Sequence, residues 1–472
     1  MATTIHPDVS PTPITATGAA PSGTQGAGRL TANQWKIVAI CAGAGMLETM
    51  DIYLIAFVLT AIAGPWQLSY GISATILLSS GIGAVIGSLV WGQVADAIGR
   101  RRAFLATILC CSAASLALAF APEGNWLYLV LFRTVIGFGT GGFFIFVMLV
   151  QEFVPARRRG FASGIVSATA VGGLLLGAAS ASFLMPSIGW RGIFALGMLP
   201  AVAGLLAALI MPESPRWALA RGHAEEGRRA LAWSHGAGAN LDEIAAAYAL
   251  PQEPPAWRAV LRQRRRLASG MLINFGLVGA YYGTVLWAPT LLAQIHTLSA
   301  AEAARMMMAF SAAGLVGRVL TGWLADRFGR RRCGGVAALG AAVLLVLAAL
   351  VARGDVLTPG HFRLVFGLAF VCGDSSFAVM AMYTSEIWPQ RLRGRGSGLC
   401  YGAGSVGKIV GPLGLALIVG ASDLIKPRAT LEAILPAFLF LGALFALAGL
   451  AYLVIAFETG RRTLEELEHE GA

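Results

Sequence analysis

"GQVADAIGRRR" (92–102) and, 230 residues later, "GWLADRFGRRR" (322–332) are two copies of one segment in a chain of 472 residues. Each follows an apolar run and ends in three arginines, so each reads as a short polar loop between two helices. A second pair, "QEFVPARRRG" (151–160) and "SEIWPQRLRG" (385–394), recurs at an offset of 234, and between them "FRTVIGFG" (132–139) answers "FRLVFGLA" (362–369). Repeats in one order at nearly one offset mean that the chain is built twice from a single plan.

That plan belongs in a membrane. The chain is 57% hydrophobic and 12% charged, whereas soluble domains carry about 25% charged residues. Apolar runs long enough to cross about 30 Å of hydrocarbon as helices fall at 36–61, 74–95, 103–121, 126–150, 161–184 and 192–211, then at 268–292, 304–325, 334–352, 361–386, 396–420 and 433–457. The expected fold is all-α, with twelve transmembrane helices in two six-helix bundles at 34–211 and 268–457. A polar linker, 212–267, joins the bundles and carries helical patterns of its own at 223–233 and 241–249. Residues 1–33, rich in Pro, Thr, Ala and Gly, read as a disordered tail without the charged start and short apolar core of a cleaved signal, and 458–472 form a second tail.

The net charge of +11 is distributed as a topology signal. Arginines gather in alternate loops, at 100–102, 157–159, 216–266, 327–332, 391–395 and 461–462, while the other loops hold only Arg191, Arg353, Lys426 and Arg428. The positive-inside rule therefore puts both termini in the cytoplasm and requires an even number of helices. The same distribution argues against a nucleic-acid partner, and "RQRRR" (262–266) fits it too. All six cysteines lie inside apolar runs without metal-ligand spacing, as small packing residues.

At this point the chain resembles the major facilitator superfamily over residues 34–460. The resemblance rests on the Gly-x-x-x-Asp-x-x-Gly-Arg-Arg loops after the second and eighth helices, the Glu-x-x-Pro…Arg-Gly loops after the fourth and tenth, and "PESPRW" (212–217) after the sixth. It implies two halves that rock about a midplane site, a cytoplasmic gate, and an ion gradient as the energy source without a cofactor. The gate set is Asp96, Arg100, Arg101 and Glu152 in the first half and Asp326, Arg330, Arg331 and Glu386 in the second. Asp96 and Asp326 would meet their loop arginines and the positive N-terminus of a helix in the opposite half; the alternative is that these charges only cap helices and set topology. Arg318, aligned with Ser88, is placed in the same cytoplasmic network.

"GAGSVGKIV" (402–410) nearly spells a phosphate-binding loop, but Ile409 stands where a magnesium-holding hydroxyl is required. Aligning 160–178 with 394–412 matches Gly164, Gly173 and Gly177 to Gly398, Gly407 and Gly411, a small-residue stripe read as part of the rocking interface. Lys408 does not repeat, its counterpart being Leu174. Counting about 1.5 Å per residue puts its ammonium near the midplane, where an unpaired charge costs at least about 2.5 kcal/mol. It is either a substrate-binding cation or the partner of Asp374, which lies at similar depth.

"ETMDIY" (48–53) places Glu48 and Asp51 on one face of the first helix, and the fourth helix carries Arg133 at a depth close to that of Asp51. An acid against an arginine in a low-dielectric cavity can switch protons as the pair forms and breaks, or can be a permanent bridge. The acid-x-x-acid pair with that arginine is similar to the proton-coupled aromatic-acid symporters, although Glu48 and Thr49 stand where those have aspartate and glycine. The seventh helix, "AYYGTVLWAPTLL" (280–292), resembles the niacin-transporter and synaptic-vesicle-glycoprotein-like relatives. Sugar porters share "PESPRW" but carry a glutamine-rich seventh helix, whereas Asn274 is the carboxamide in the core of this one.

The reading is of a monomeric transporter of the inner (plasma) membrane, not an enzyme, that imports a small organic acid, aromatic or heteroaromatic, with protons. Asp51, Glu48 and Arg133 would couple protons; Lys408, Tyr281, Tyr282, Asn274, Tyr53, Asp374, Tyr383 and Ser405 would face the substrate. Its partners are protons, the small-molecule substrate and the bilayer. Proton-antiport efflux, sugar or organic-cation symport, and a non-transporting sensor are the competing functions.

Overall fold

The computed structural model describes residues 30–155, 158–236, 257–389, 392–420 and 424–459. Among the described residues, twelve helices are long and apolar enough to span a membrane: α1 (Ala32–Ile62), α2 (Tyr70–Ile98), α3 (Arg100–Leu118), α4 (Trp126–Phe153), α5 (Phe161–Phe183), α6 (Met185–Ile210), α7 (Arg264–His296), α8 (Ala300–Phe328), α9 (Arg330–Arg353), α10 (Phe362–Glu386), α11 (Gly394–Val419) and α12 (Thr430–Ile455). Each covers one of the apolar runs read from the sequence. The linker helix expected at 223–233 spans Ala224–His235, while the one at 241–249 and nearly all of both tails lie outside the described residues.

Local chemistry sets the ends. Thr31 with Gln34 and Ser299 with Glu302 form reciprocal caps that satisfy the first N–H groups of α1 and α8. Between α2 and α3, and again between α8 and α9, the chain reverses through a single glycine, Gly99 (φ 103°) and Gly329 (φ 97°). Only glycine adopts that conformation without strain, which is why both repeated loops carry it. Large exposed side chains such as Leu89, Leu209, Val319 and Val454 stud the outer faces, where lipid replaces water as their solvent.

The glycine stripe packs inside each half. A Cβ on Gly173 would lie 2.5 Å from the Met46 carbonyl oxygen of α1, and one on Gly407 would run into the Phe275 carbonyl of α7. Gly173 and Gly177 therefore let α5 close on α1, and Gly407 and Gly411 let α11 close on α7, while a Cβ on Gly164 or Gly398 would meet nothing within 4 Å; the expectation of a rocking interface is corrected, since the close-packed glycines fix each bundle internally.

Contacts between the halves line the face opposite the arginine-rich loops. Thr60 and Thr290 hydroxyls lie 3.1 Å apart, Tyr70 Oη and Thr430 Oγ1 2.5 Å apart, and the Ile425 N–H donates to the Leu68 carbonyl at 3.3 Å. Trp287 packs on Tyr70 with ring centroids 5.4 Å apart.

Candidate functional site

At the arginine-rich face each half builds the same cluster from its own residues. Arg100 bonds Asp96 at 2.9 Å and Glu152 at 3.3 Å; Arg330 bonds Asp326 and, at 3.3 Å, Glu386. Asp96 does not take up the expected partners across the halves, its side chain being 70% exposed. The positive end of α3 is instead held from the same half by Glu213, which accepts from the N–H of Arg101 at 2.8 Å, and that of α9 by Glu458, which accepts from Arg330 N–H at 2.6 Å. Arg101 and Arg331 turn away from the aspartates: their guanidinium groups donate to the carbonyls of Ala208 and of Leu453 and Tyr452. Glu213 and Glu458 escaped the sequence reading, although Glu213 sits in "PESPRW" and both stand just beyond the last helix of a half, where a carboxylate can cap a neighbouring helix.

Midway through the bundle, α1 presents Glu48 and Asp51 one turn apart, both buried. Ser115 of α3 donates to Asp51 Oδ1 at 2.5 Å, and the Cys111 thiol one turn earlier points to Glu48 Oε1 at 3.6 Å. Gly197 of α6 closes the pocket around Asp51, since a Cβ there would strike both Ser115 Oγ and Asp51 Oδ1. Asp51 Oδ2 and Glu48 Oε2 are buried without a hydrogen-bond partner among the described residues. Cys111 and Ser115, spaced i and i+4 in "CCSAAS" (110–115), are the signal that could have found the α3 wall.

Arg133 is buried beside this pair but does not grip the Asp51 carboxylate. Its guanidinium donates to the backbone carbonyls of Asp51 and Ile52 at 3.3 and 3.2 Å and to Ser80 Oγ at 3.1 Å. The expected Asp51–Arg133 bridge is corrected on that point: the arginine is anchored to the backbone of α1 within electrostatic reach of the acid.

In the second half Asp374 is held at both oxygens by Arg318, from Nε at 2.7 Å and Nη2 at 2.6 Å. Two expectations fall together. Arg318 does not belong to the network of the arginine-rich face, and Asp374 is not the partner of Lys408. The Lys408 ammonium rests over the Tyr282 ring at 4.7 Å, with no carboxylate in ion-pair range among the described residues. Glu48, across the interface between the halves, is its electrostatic neighbour. Pro412 lacks an N–H, so it also removes the helical hydrogen bond that the Lys408 carbonyl would accept.

Aromatic rings link these charges. Tyr53 of α1 stacks with Tyr282 of α7 at 6.0 Å and 26°, and Tyr281 packs on Phe377 at 4.6 Å and on Tyr282 edge-on. Three further candidates stand elsewhere. Tyr383 is buried near the end of α10 against Tyr452 and Phe457 and donates to Ser269 Oγ. Ser405 is exposed, its hydroxyl spent on the Tyr401 carbonyl of its own helix. Asn274 bonds Thr384 at 2.9 Å between α7 and α10, apart from the tyrosine cluster. The site thus holds three acids, Glu48, Asp51 and Asp374, three bases, Arg133, Arg318 and Lys408, and an aromatic bridge between the halves.

The sequence profile of the Major Facilitator Superfamily matches residues 41–412 and, in an overlapping second match, 289–471. The chain is 28% identical over 383 residues to the niacin transporter NiaP of Acinetobacter baylyi, covering 80% of this chain and 85% of that one. It is 28% identical over 391 residues to a gallate transporter of Pseudomonas putida, covering 81% and 85%. Its fold is similar to the inward-open xylose transporter XylE of E. coli, with a TM-score of 0.71 at 20% identity over 93% of this chain and 100% of that one.

Proposed function

The chain belongs to the Major Facilitator Superfamily, and from that premise we propose that it imports small aromatic or heteroaromatic carboxylic acids together with protons, by alternating access. As a family member with twelve spanning helices it is a multi-pass plasma-membrane transporter and not an enzyme. The relatives named for niacin and gallate support the substrate class.

The observation that carries the reading is the Lys408 ammonium, set on the tyrosine bridge with no carboxylate in ion-pair range among the described residues. Arg318 is neutralised by Asp374, and Arg133, 1% exposed, is closed in against the backbone of α1 and Ser80. Lys408 is then the cation that an incoming carboxylate can pair with, while the Tyr53–Tyr282 stack holds its ring.

Proton coupling follows from charge balance. With all six groups ionised the site sums to zero, and an anion entering alone would leave an uncompensated charge in a low-dielectric interior. A proton taken up by Asp51 or Glu48 restores neutrality. Asp51 is the primary acceptor, since Ser115 can donate to the carboxylate and accept from the acid; Glu48 shares the proton and links it to Lys408. For import, Asp51 would take its proton from the outside and lose it when the loaded protein opens inward and Arg133 leaves its backbone anchor to pair with the carboxylate, which would expel the proton to the cytoplasm. The Asp96 and Asp326 clusters, closed within their own halves, would re-engage across the halves when the cytoplasmic side shuts.

The test follows protons and substrate together. Purified protein in liposomes that enclose a pH-sensitive dye is challenged with labelled aromatic acids, aliphatic acids, sugars and organic cations under an inward proton gradient. Aromatic carboxylates should accumulate with protons, and Asp51→Asn should abolish both gradient-driven accumulation and proton entry while keeping substrate exchange. Silence for acids with a response to sugars or cations overturns the substrate class, and undiminished accumulation in Asp51→Asn overturns the proton role.

A further inference from the structure

The Arg318–Asp374 pair has no part in the proton chemistry, and its arrangement exceeds what joining two helices requires. Gly314 brings α8 so close that a Cβ there would lie 2.8 Å from Asp374 Oδ2. The Asp374 side chain is 3% exposed and that of Arg318 15%, so the acid lies deeper and the arginine looks outward. It does so over the Phe377 ring, at 5.3 Å, within electrostatic reach of Tyr281 and of Tyr53 in the other half. A contiguous path therefore runs from Lys408 to Tyr282, to Tyr281 edge-on beside it, to Phe377 and on to Arg318. The aromatic bridge has a polar group at each end.

The two ends differ in charge. At the lysine end the cation lacks an ion-pair partner among the described residues, which suits a carboxylate. At the arginine end both Asp374 oxygens are bonded and the net charge is nil, so a second anion gains little, yet only two of the five guanidinium N–H donors go to Asp374. A neutral hydrogen-bonding group suits that end: a hydroxyl accepts from Arg318 and donates to a remaining lone pair of Asp374, and a ring nitrogen accepts from Arg318. The repeat also sets Ser88 where Arg318 stands, so the duplicated architecture does not require the pair.

Resting on the substrate reading above, we propose that the Arg318–Asp374 pair is a second pole of the binding site, which reads a neutral hydrogen-bonding group on the substrate's ring away from its carboxylate. The preferred substrates are then hydroxylated aromatic acids and pyridine carboxylic acids over benzoate.

Competition binding of benzoate, 4-hydroxybenzoate and pyridine-3-carboxylate to the purified full chain tests this. The wild type should favour a substituted acid or the pyridine acid by about tenfold or more, because a site built for a hydrogen bond rejects the analogue that lacks it. In the double variant Arg318→Gln, Asp374→Asn, which removes both charges together and leaves neither stranded, the preference over benzoate should collapse to within about twofold. Arg318→Lys, which retains the charge but loses the planar fork, should lower the preference at least about threefold and serves as the readout if the double variant misfolds. An unchanged ratio in either folded variant, or an equal loss for all three acids, overturns the proposal and assigns the pair to holding α8 on α10. Binding of none of the acids by wild type overturns the substrate class as well, and the sugar and cation panel separates that outcome from failure of the pole alone.

Discussion

Lys408→Met removes the cation of the aromatic bridge while keeping a flexible side chain of similar length. A carboxylate bonded to the half-buried ammonium gains about 1.5–3 kcal/mol from a charge-assisted hydrogen bond, and at 1.4 kcal/mol per decade its loss weakens binding about 10- to 150-fold. Folding should not suffer. The variant forfeits the cation–π contact with Tyr282, about 0.5–2 kcal/mol, but also relieves the cost of keeping an ammonium near the midplane, at least about 2.5 kcal/mol. The two offset, so the melting temperature in detergent should hold or rise. Equilibrium binding of an aromatic carboxylate and of its uncharged carboxamide is the assay, because the amide keeps the ring and loses the charge. Wild type should prefer the carboxylate and the variant should lose that preference. A rise in the carboxylate Kd below about threefold, or an equal loss for the amide, refutes the role of the ammonium. A fall in melting temperature matching the loss of binding returns Lys408 to a structural part.

Gly197→Ala drives a methyl group into Ser115 Oγ and Asp51 Oδ1; overpacking of this kind costs about 1–3 kcal/mol, and gradient-driven uptake should fall. Gly43→Ala, where a Cβ meets nothing within 4 Å, should transport normally, and equal behaviour of the two variants would refute the crowding at Asp51. Tyr70→Phe deletes the 2.5 Å contact with Thr430 that ties the halves together on the face opposite the arginines. Loss of about 0.5–1.5 kcal/mol should raise labelling of a cysteine placed at Thr290 by an impermeant maleimide about two- to twelvefold. Labelling at the rate seen with Tyr70 intact would show that this hydroxyl does not hold the face shut.

Depth along the membrane normal was legible in the sequence, and direction around each helix was not. Hydropathy and arginine placement are one-dimensional signals, so all twelve spans could be read from them, and charged residues inside the spans marked the site because lipid makes them costly. Pairing depends on azimuth and on the way side chains lean. Lys408 and Asp374 share a depth yet do not meet. Arg318 looks as though it belongs to the arginine-rich face because its Cα lies ten residues from the end of α8. In an α-helix, however, the Cα–Cβ bond tilts toward the N-terminus, and α8 starts at the opposite face, so Arg318 leans to the midplane and finds Asp374. Tyr383 fails for the converse reason: it is three residues from Glu386, the last of α10, and packs at that end.

Duplication explains why the chemistry is divided between the halves. The repeat aligns Arg133 with Arg363, but α4 begins at Trp126, seven residues before its arginine, whereas α10 begins at Phe362, one residue before. Earlier initiation carries Arg133 about two turns into the membrane, where it is buried against α1 and α2, while Arg363 stays exposed in the first turn of α10. The second half, lacking a buried counterpart of Arg133, places its cations at Arg318 and Lys408, positions that hold Ser88 and Leu174 in the first half. Two acids beside one anchored arginine suit proton uptake, and two cations at opposite ends of an aromatic bridge suit a polar ring. Because Tyr53 stacks on Tyr282 across the boundary and Glu48 lies in the field of Lys408, a change of charge in one half would be felt in the other.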